Sequence, residues 1–216
     1  YPTSSTYEKY ASEFKDNIFF NEPGSAIATV SVNYGRTTYN HTSKTTDSQK
    51  ESTRKALINK EFRQALNFAV DRNSYSAQTN GTDGAAVAIR NTFSPYDLQV
   101  GDKQFGKLVE ESLAKTNSST WSNVSLADSQ NGLYNEEKAK AAFAKAKESL
   151  KAEGVEFPIH LDALTIQEST AVVNRVQSLK QSIENVLGAD NVVIDLQQMT
   201  QAEALPLSFS APTAKE

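Results

Sequence analysis

The sequence predicts an α/β protein, and residues 157–196 are the main evidence for it. Residues 157–164 alternate apolar with polar side chains, which is the period of a half-buried strand. Residues 168–187 repeat apolar side chains with the period of a helix, and residues 192–196 form a second apolar strand. A strand, a helix and a strand in this order make a βαβ unit, so the two strands should be parallel with a right-handed crossover.

The elements before residue 59 are short and polar. Residues 1–20 predict a short helix followed by an apolar triplet, and Asn21-Glu22-Pro23-Gly24 predicts a turn because Pro fixes φ and Gly permits positive φ. The largely apolar residues 26–32 predict a strand. Residues 37–53 are rich in Ser and Thr with almost no aliphatic side chains, so we expect an exposed loop there.

An amphipathic helix is predicted over residues 59–72. Phe62, Leu66 and Ala69 recur at i, i+4 and i+7, with Ala65 on the same stripe. We therefore expect this helix to pack against the core with Leu66 buried.

The middle of the chain carries weaker signals. Asn80-Gly81 and Asp83-Gly84 predict two turns, followed by a short buried strand over residues 85–89. Residues 105–113 predict another short helix, and Trp121 is the one large apolar residue of the polar stretch that follows.

The helix after residue 135 is the best specified of the chain. Asn135 precedes Glu136 and Glu137, an N-cap followed by acids that suit the positive end of a helix. Gly154 predicts its C-terminal stop. We find no internal repeat and no Pro-rich linker that would divide the 216 residues.

Composition excludes several classes of function. The 22 Lys and Arg residues are balanced by 26 Asp and Glu residues, which argues against a nucleic-acid partner because such binding needs a clustered basic surface. The chain has no cysteine, which excludes disulfides, thiol catalysis and thiolate metal sites. Its two histidines, His41 and His160, lie too far apart in sequence to predict a metal site, and no motif predicts a cofactor.

One residue pair could carry catalysis. His160 and Asp162 lie on the same side of a predicted strand, which leaves open a hydrolase that uses one of the many serines. The Gly-x-Ser-x-Gly elbow that would accompany them is missing. The alternative is a polar face of a strand that is covered on one side only.

The sequence also resembles a known family. The string Asn-Lys-Glu-Phe-Arg-Gln-Ala-Leu-Asn-Phe-Ala-Val-Asp-Arg over residues 59–72 resembles a helix of the extracytoplasmic peptide-binding proteins of ATP-driven importers. The resemblance continues through Phe-Pro-Ile-His-Leu at 157–161, Val-Leu-Gly at 186–188 and Val-Val-Ile-Asp-Leu-Gln-Gln-Met at 192–199. Up to about residue 203 the chain is similar to the Ami/Ali-type oligopeptide-binding lipoproteins of streptococci.

The resemblance implies a fold and a function. It implies one lobe of a type II periplasmic-binding-protein-like fold, with a mixed sheet and flanking helices: residues 1–203 would form the second lobe and residues 204–216 a divergent tail. It implies a monomeric binding protein, not an enzyme, that captures oligopeptides and delivers them to the membrane permease of an ABC importer. The full-length protein would be lipid-anchored on the extracellular face of the membrane. A surface-exposed structural or adhesive domain derived from such a receptor is the alternative.

The resemblance also indicates candidate binding residues. The segment that ends Val32-Asn33-Tyr34 matches the family strand whose end faces the cleft between lobes, where the main chain of the peptide is bound. Asn33 and Tyr34 are therefore the first candidates, since the Asn33 amide can both donate to and accept from a peptide backbone. Arg90 is a third candidate.

Overall fold

The computed structural model describes residues 3, 5–19, 29–89, 91, 92, 94–127, 130 and 132–208. The chain divides into two compact units, the first of Tyr1–Thr29 and Asp71–Tyr134 and the second of Val30–Val70 and Asn135–Glu216. The elements are α1 Ser5–Tyr10, a 3-10 turn Lys15–Asn17, α2 Asp47–Ile58, α3 Lys60–Ala69, α4 Arg72–Ala85, β1 Gln99–Val100, β2 Lys103–Gln104, α5 Phe105–Thr116, α6 Ser118–Trp121, α7 Glu136–Ala152, β3 Ile159–Ile166, α8 Thr170–Leu187, β4 Val192–Met199 and α9 Gln201–Leu207.

The second unit confirms the α/β prediction. β3 and β4 are adjacent and parallel, with Ile159 opposite Val192 and Ile166 opposite Met199, and the intervening α8 packs on both strands. The described residues contain both kinds of strand pairing that the family implies. The parallel pair β3–β4 and the antiparallel pair β1–β2 of the first unit form separate sheets.

Side chains from neighbouring helices cover the outer edges of the parallel pair. On β4, the Ile194 N–H donates to Glu184 Oε1 and the Ile194 carbonyl accepts from Lys180 Nζ, both at 2.8 Å. On β3, the His160 carbonyl accepts from Thr53 Oγ1 of α2 at 2.9 Å. Backbone groups that point away from the partner strand are therefore satisfied at both of these positions.

The end of α7 follows directly from its sequence. Gly154 has φ 74°, a left-handed conformation that glycine adopts without a Cβ penalty. Its N–H donates to the Lys151 carbonyl, and the Val155 N–H donates to the Leu150 carbonyl at 3.0 Å, which is the Schellman pattern. Val155 and Leu150 are both buried, so the chain turns into β3 with an apolar contact at the helix end.

A row of aromatic rings forms the core between α3 and α7. The Phe62 and Phe143 ring centroids lie 6.3 Å apart, and Phe143 meets Phe157 edge to face at 6.2 Å. The expectation that Leu66 is buried is wrong: the buried face of α3 comprises Phe62, Ala65, Phe68 and Ala69, and Leu66 is half-buried at its margin.

The junction between α2 and α3 depends on two polar side chains. Asn59 Oδ1 accepts from the Phe62 N–H at 2.9 Å and so caps α3. Arg63 Nη1 donates to the carbonyls of Leu57 and Ile58 at 2.7 and 2.6 Å, which satisfies the last turn of α2. The string at 59–72 that carries the family resemblance therefore contains both the cap of α3 and the side chain that closes α2.

The first unit corrects two predictions. The strand over 85–89 is wrong, and so is the turn at Asp83-Gly84, because α4 begins after its Asp71 cap and ends at Ala85. The turn at Asn80-Gly81 is confirmed in part, since Gly81 has non-helical angles (φ 68°, ψ 171°) that separate two helical segments within α4. Residues 86–88 form a turn after the helix. The predicted helix over 105–113 is confirmed as α5.

A close approach in the first unit requires a glycine. A Cβ at Gly106 would lie 1.9 Å from the Tyr96 ring, so any side chain there would displace that ring. The Tyr96 hydroxyl donates to Glu110 Oε1 at 3.1 Å, and the same oxygen accepts from the Leu126 N–H at 2.7 Å. Glu110 thereby joins α5 to the loop at Leu126.

The N-terminal prediction is confirmed in part. α1 and the 3-10 turn lie within the predicted helical stretch, whereas the turn at 21–24 and residues 26–28 of the predicted strand lie outside the described residues. Residues 29–32 belong to no strand of the described structure, so the strand prediction is wrong for them. In the part of the chain that the structure describes, no helix is long and apolar enough to cross a membrane.

We expect Phe62→Ala to lower the free energy of unfolding by about 3–5 kcal/mol, the usual cost of deleting a buried Phe. Phe62 is fully buried and contacts the ring of Phe143, whereas Leu66 is half-buried. Urea unfolding of Phe62→Ala and of the matched Leu66→Ala should show the larger loss for Phe62. An equal loss would contradict the assignment of the buried face.

Candidate functional site

A buried carboxylate organises the polar face of the parallel strand pair. Asp162 lies in the middle of β3, directly opposite Asp195 of β4, so both acids face the same side of the sheet. The polar segment that precedes α2 crosses this side. We call the following residues the Asp162 network: Arg36, Thr42, Ser43, Lys44, Asp162 and Gln197.

Both oxygens of Asp162 accept several hydrogen bonds. Oδ2 accepts from Arg36 Nη1 and Lys44 Nζ, each at 2.6 Å, and from Thr42 Oγ1 at 2.7 Å. Oδ1 accepts from the Ser43 N–H at 3.2 Å and from Gln197 Nε2 at 3.1 Å. Two cations, a hydroxyl, a backbone amide and a side-chain amide therefore converge on one carboxylate.

The Asp162–Lys44 pair at the centre of the network is shielded from water. The Asp162 side chain is 4% exposed and that of Lys44 is 1% exposed. Burial alone would raise the pKa of Asp162, but the hydrogen bonds from Lys44, Thr42 and Arg36 outweigh it and hold this pKa below its usual range. Burial lowers the pKa of Lys44, and the contact with Asp162 offsets this only in part.

The network corrects the prediction of an exposed loop over residues 37–53. α2 begins at Asp47, with Thr46 and Gln49 forming a capping box, and Lys44 is buried. The prediction failed because it considered only apolar burial. Here polar side chains are held by one acid more than a hundred residues away in sequence.

Arg36 is fixed by every part of its guanidinium group. Besides the contact with Asp162, Nε donates to the Thr38 carbonyl and Nη2 donates to the His41 carbonyl, both at 2.9 Å. The guanidinium carbon lies 4.4 Å from the centre of the Tyr39 ring, a cation–π contact. The Arg36 side chain therefore holds the backbone of the residues that follow it.

The candidate binding residues lie immediately before Arg36. The Gly35 N–H donates to Asn33 Oδ1 at 3.0 Å, a local turn contact, and the Tyr34 side chain is exposed. Val30 and Val32 precede them and are also exposed, with Val30 68% exposed. Arg90 lies outside the described residues.

The hydrolase hypothesis finds no support in the geometry. His160 Nδ1 contacts Asp195 Oδ2 at 2.8 Å, and the oxygens of Asp162 are occupied by the network. Sequence reasoning missed Asp195 because its closeness to His160 depends on the register between β3 and β4. Among the residues that the structure describes, no group of three acidic, His or Cys side chains could hold a metal ion.

Comparisons with known proteins give one consistent result. The chain is 56% identical to the oligopeptide-binding protein AmiA of Streptococcus pneumoniae over 99% of its length, 52% identical to SarA of Streptococcus gordonii over 100%, and 50% identical to AliA of Streptococcus pneumoniae over 99%. In each case it spans 32% of the relative's length. No family model matches the chain.

A solved structure is also similar. It is described as a crystal structure of a peptide ABC transporter, peptide-binding protein, and is 21% identical with a TM-score of 0.49. The match covers 78% of this chain and 60% of that chain.

We expect Asp162→Asn to lower the free energy of unfolding by about 3–5 kcal/mol, because breaking a buried ion pair leaves its cations uncompensated. Urea unfolding at neutral pH measures this loss. The control is Glu111→Gln, which breaks an ion pair with Lys103 whose side chains are about half exposed; it should cost about 1 kcal/mol or less. Equal losses would contradict a structural role for the network.

The same acid should contribute to acid unfolding. Because the folded-state pKa of Asp162 is lowered, its contribution is fully present above the unfolded value of about 3.9 and is lost as pH falls through the folded pKa. The stability difference between the wild-type chain and Asp162→Asn should therefore be constant from pH 5 to 7 and shrink below pH 4. A difference that grows on acidification would contradict this sign.

Proposed function

We propose that this chain, which is homologous over its whole length to the streptococcal oligopeptide-binding proteins, is part of the extracellular oligopeptide-binding component of an ABC peptide importer. Residues 1–203 contribute its second lobe, and residues 204–216 are a divergent tail. The observation that carries the proposal is 50–56% identity to three such proteins across nearly every residue of this chain.

The peptide contacts Asn33 and Tyr34 in this proposal, with Arg90 as a third ligand-binding residue. The exposure of Val30, Val32 and Tyr34 supports the assignment, because a peptide is bound through main-chain hydrogen bonds and side-chain contacts that need an accessible segment. The Tyr34 ring is 55% exposed and offers both an apolar face and a hydroxyl to a ligand.

The proposed partners are oligopeptides and the membrane permease of the importer. The full-length protein acts as a monomer, lipid-anchored on the extracellular face of the membrane, and binds neither nucleic acid nor a cofactor. It releases each peptide intact, a role supported by its similarity to proteins that are named as oligopeptide-binding proteins.

One lobe alone should bind peptides weakly. A peptide on a single surface keeps its other side in water, and solvent-exposed hydrogen bonds contribute only about 0.5–1.5 kcal/mol each. Association must also offset about 4–15 kcal/mol of lost translational and rotational freedom. The dissociation constant should therefore be about 1 mM or higher, which corresponds to a binding free energy of about −4 kcal/mol or weaker.

An NMR titration of the ¹⁵N-labelled chain with a mixture of synthetic hexapeptides tests this function. Amide shifts should concentrate at residues 30–36, and Tyr34→Ala should weaken binding about fivefold or more, because aromatic side chains dominate such contacts. The matched control is Tyr10→Ala, which removes an exposed tyrosine of α1 and should leave affinity unchanged. Shifts confined to other residues would contradict the assigned site, and unaltered spectra would contradict peptide binding by this lobe.

A further inference from the structure

We propose that Arg36, held by Asp162, is a positioning residue for peptide binding. It fixes the C-terminal end of residues 30–34, which we call the recognition segment, relative to the parallel strand pair. The inference rests on the proposed function and adds to it a residue that touches no peptide itself.

The sheet gives this contact a rigid reference. Asp162 lies within β3, opposite Asp195 of β4, and its Oδ1 is also bonded to Gln197 of that strand. A carboxylate held by two paired strands has little freedom to move. Arg36 Nη1 meets Asp162 Oδ2 at 2.6 Å, with the two side chains 14% and 4% exposed.

The recognition segment is close enough to Arg36 for the Arg36–Asp162 contact to restrict its position. Tyr34 is two residues before Arg36, so their Cα atoms are at most about 7 Å apart even in a fully extended chain. The Gly35 N–H, between these two residues, also donates to Asn33 Oδ1, which orders the chain on the N-terminal side of Arg36. Fixing Arg36 therefore restricts the region that Tyr34 can occupy.

The opposite end of the loop is tied to the same carboxylate. Thr42 Oγ1 and Lys44 Nζ donate to Asp162 Oδ2, so the loop that begins at Arg36 is closed at both ends on one acid. Within this loop the Arg36 fork also holds the Thr38 and His41 carbonyls. A lysine at position 36 would keep the charge but lacks the planar fork that reaches three acceptors in different directions.

Arg36→Lys is the informative variant, since it preserves the net charge and a possible ion pair with Asp162. The matched control is Arg54→Lys, because Arg54 makes a similar fork to Glu51 on the exposed face of α2. Both variants are made in the 216-residue chain. Each is used only if its spectrum keeps the wild-type amide signals of α3 and α7, which shows that the variant is folded.

Two readouts separate positioning from peptide binding. The first is hydrogen exchange of the Tyr34, Gly35 and Arg36 amides without peptide, which should become faster in Arg36→Lys and stay unchanged in Arg54→Lys. The second is titration with the hexapeptide mixture, in which Arg36→Lys should weaken binding about fivefold because the segment must be ordered on association. In a Tyr34→Ala background the same change should have a smaller effect, since the two residues then act through one segment.

The outcomes distinguish the two proposals. Faster exchange together with a weaker, non-additive affinity supports the positioning role. Unchanged exchange, or full affinity in Arg36→Lys while the wild type binds, overturns the positioning role and leaves the proposed function standing. A wild-type chain that shows no shifts with the hexapeptides overturns the proposed function, and the inference falls with it whatever the exchange rates.

Discussion

The polar side of the second unit depends on the ion pairs and hydrogen bonds of the Asp162 carboxylate. A buried charge costs several kcal/mol unless it is paired and hydrogen-bonded, and Lys44 and Asp162 each meet that requirement for the other. The segment before α2 has almost no apolar side chains to bury. Its contacts with Asp162 therefore fix where it crosses the sheet. Removing the charge of Asp162 would leave Lys44 buried without the acid that it is bonded to, whereas Asp162 would keep Arg36 if Lys44 were removed.

The strongest sequence signal for the family turns out to be architectural. Asn59 and Arg63, both within the string that resembles the importers' binding proteins, cap one helix and close the one before it. Such a junction depends on side chains at fixed spacings and therefore leaves a clear local pattern. Residues that contact a ligand leave no comparable periodicity, which is why the candidate residues came from the resemblance alone.

Periodicity was sufficient to predict the elements whose packing is apolar and local. α7, β3, α8 and β4 repeat apolar side chains with a regular spacing, and their parallel pairing followed from the order of the elements. The failures lie where a distant polar partner decides, as for Lys44, or where a helix resumes after a glycine, as it does after Gly81. The pairing of His160 with Asp195 needed the strand register, which the sequence does not contain.

The covered edges of the parallel pair bear on how copies of this protein behave together. Uncovered strand edges are templates for pairing with another chain, and a two-stranded sheet has two of them. Here the Ile194 backbone is engaged by Lys180 and Glu184, and the His160 carbonyl by Thr53. A strand from a second molecule would have to displace these side chains before it could add at either position. At these two positions the flanking helices therefore hinder the addition of a strand from another molecule.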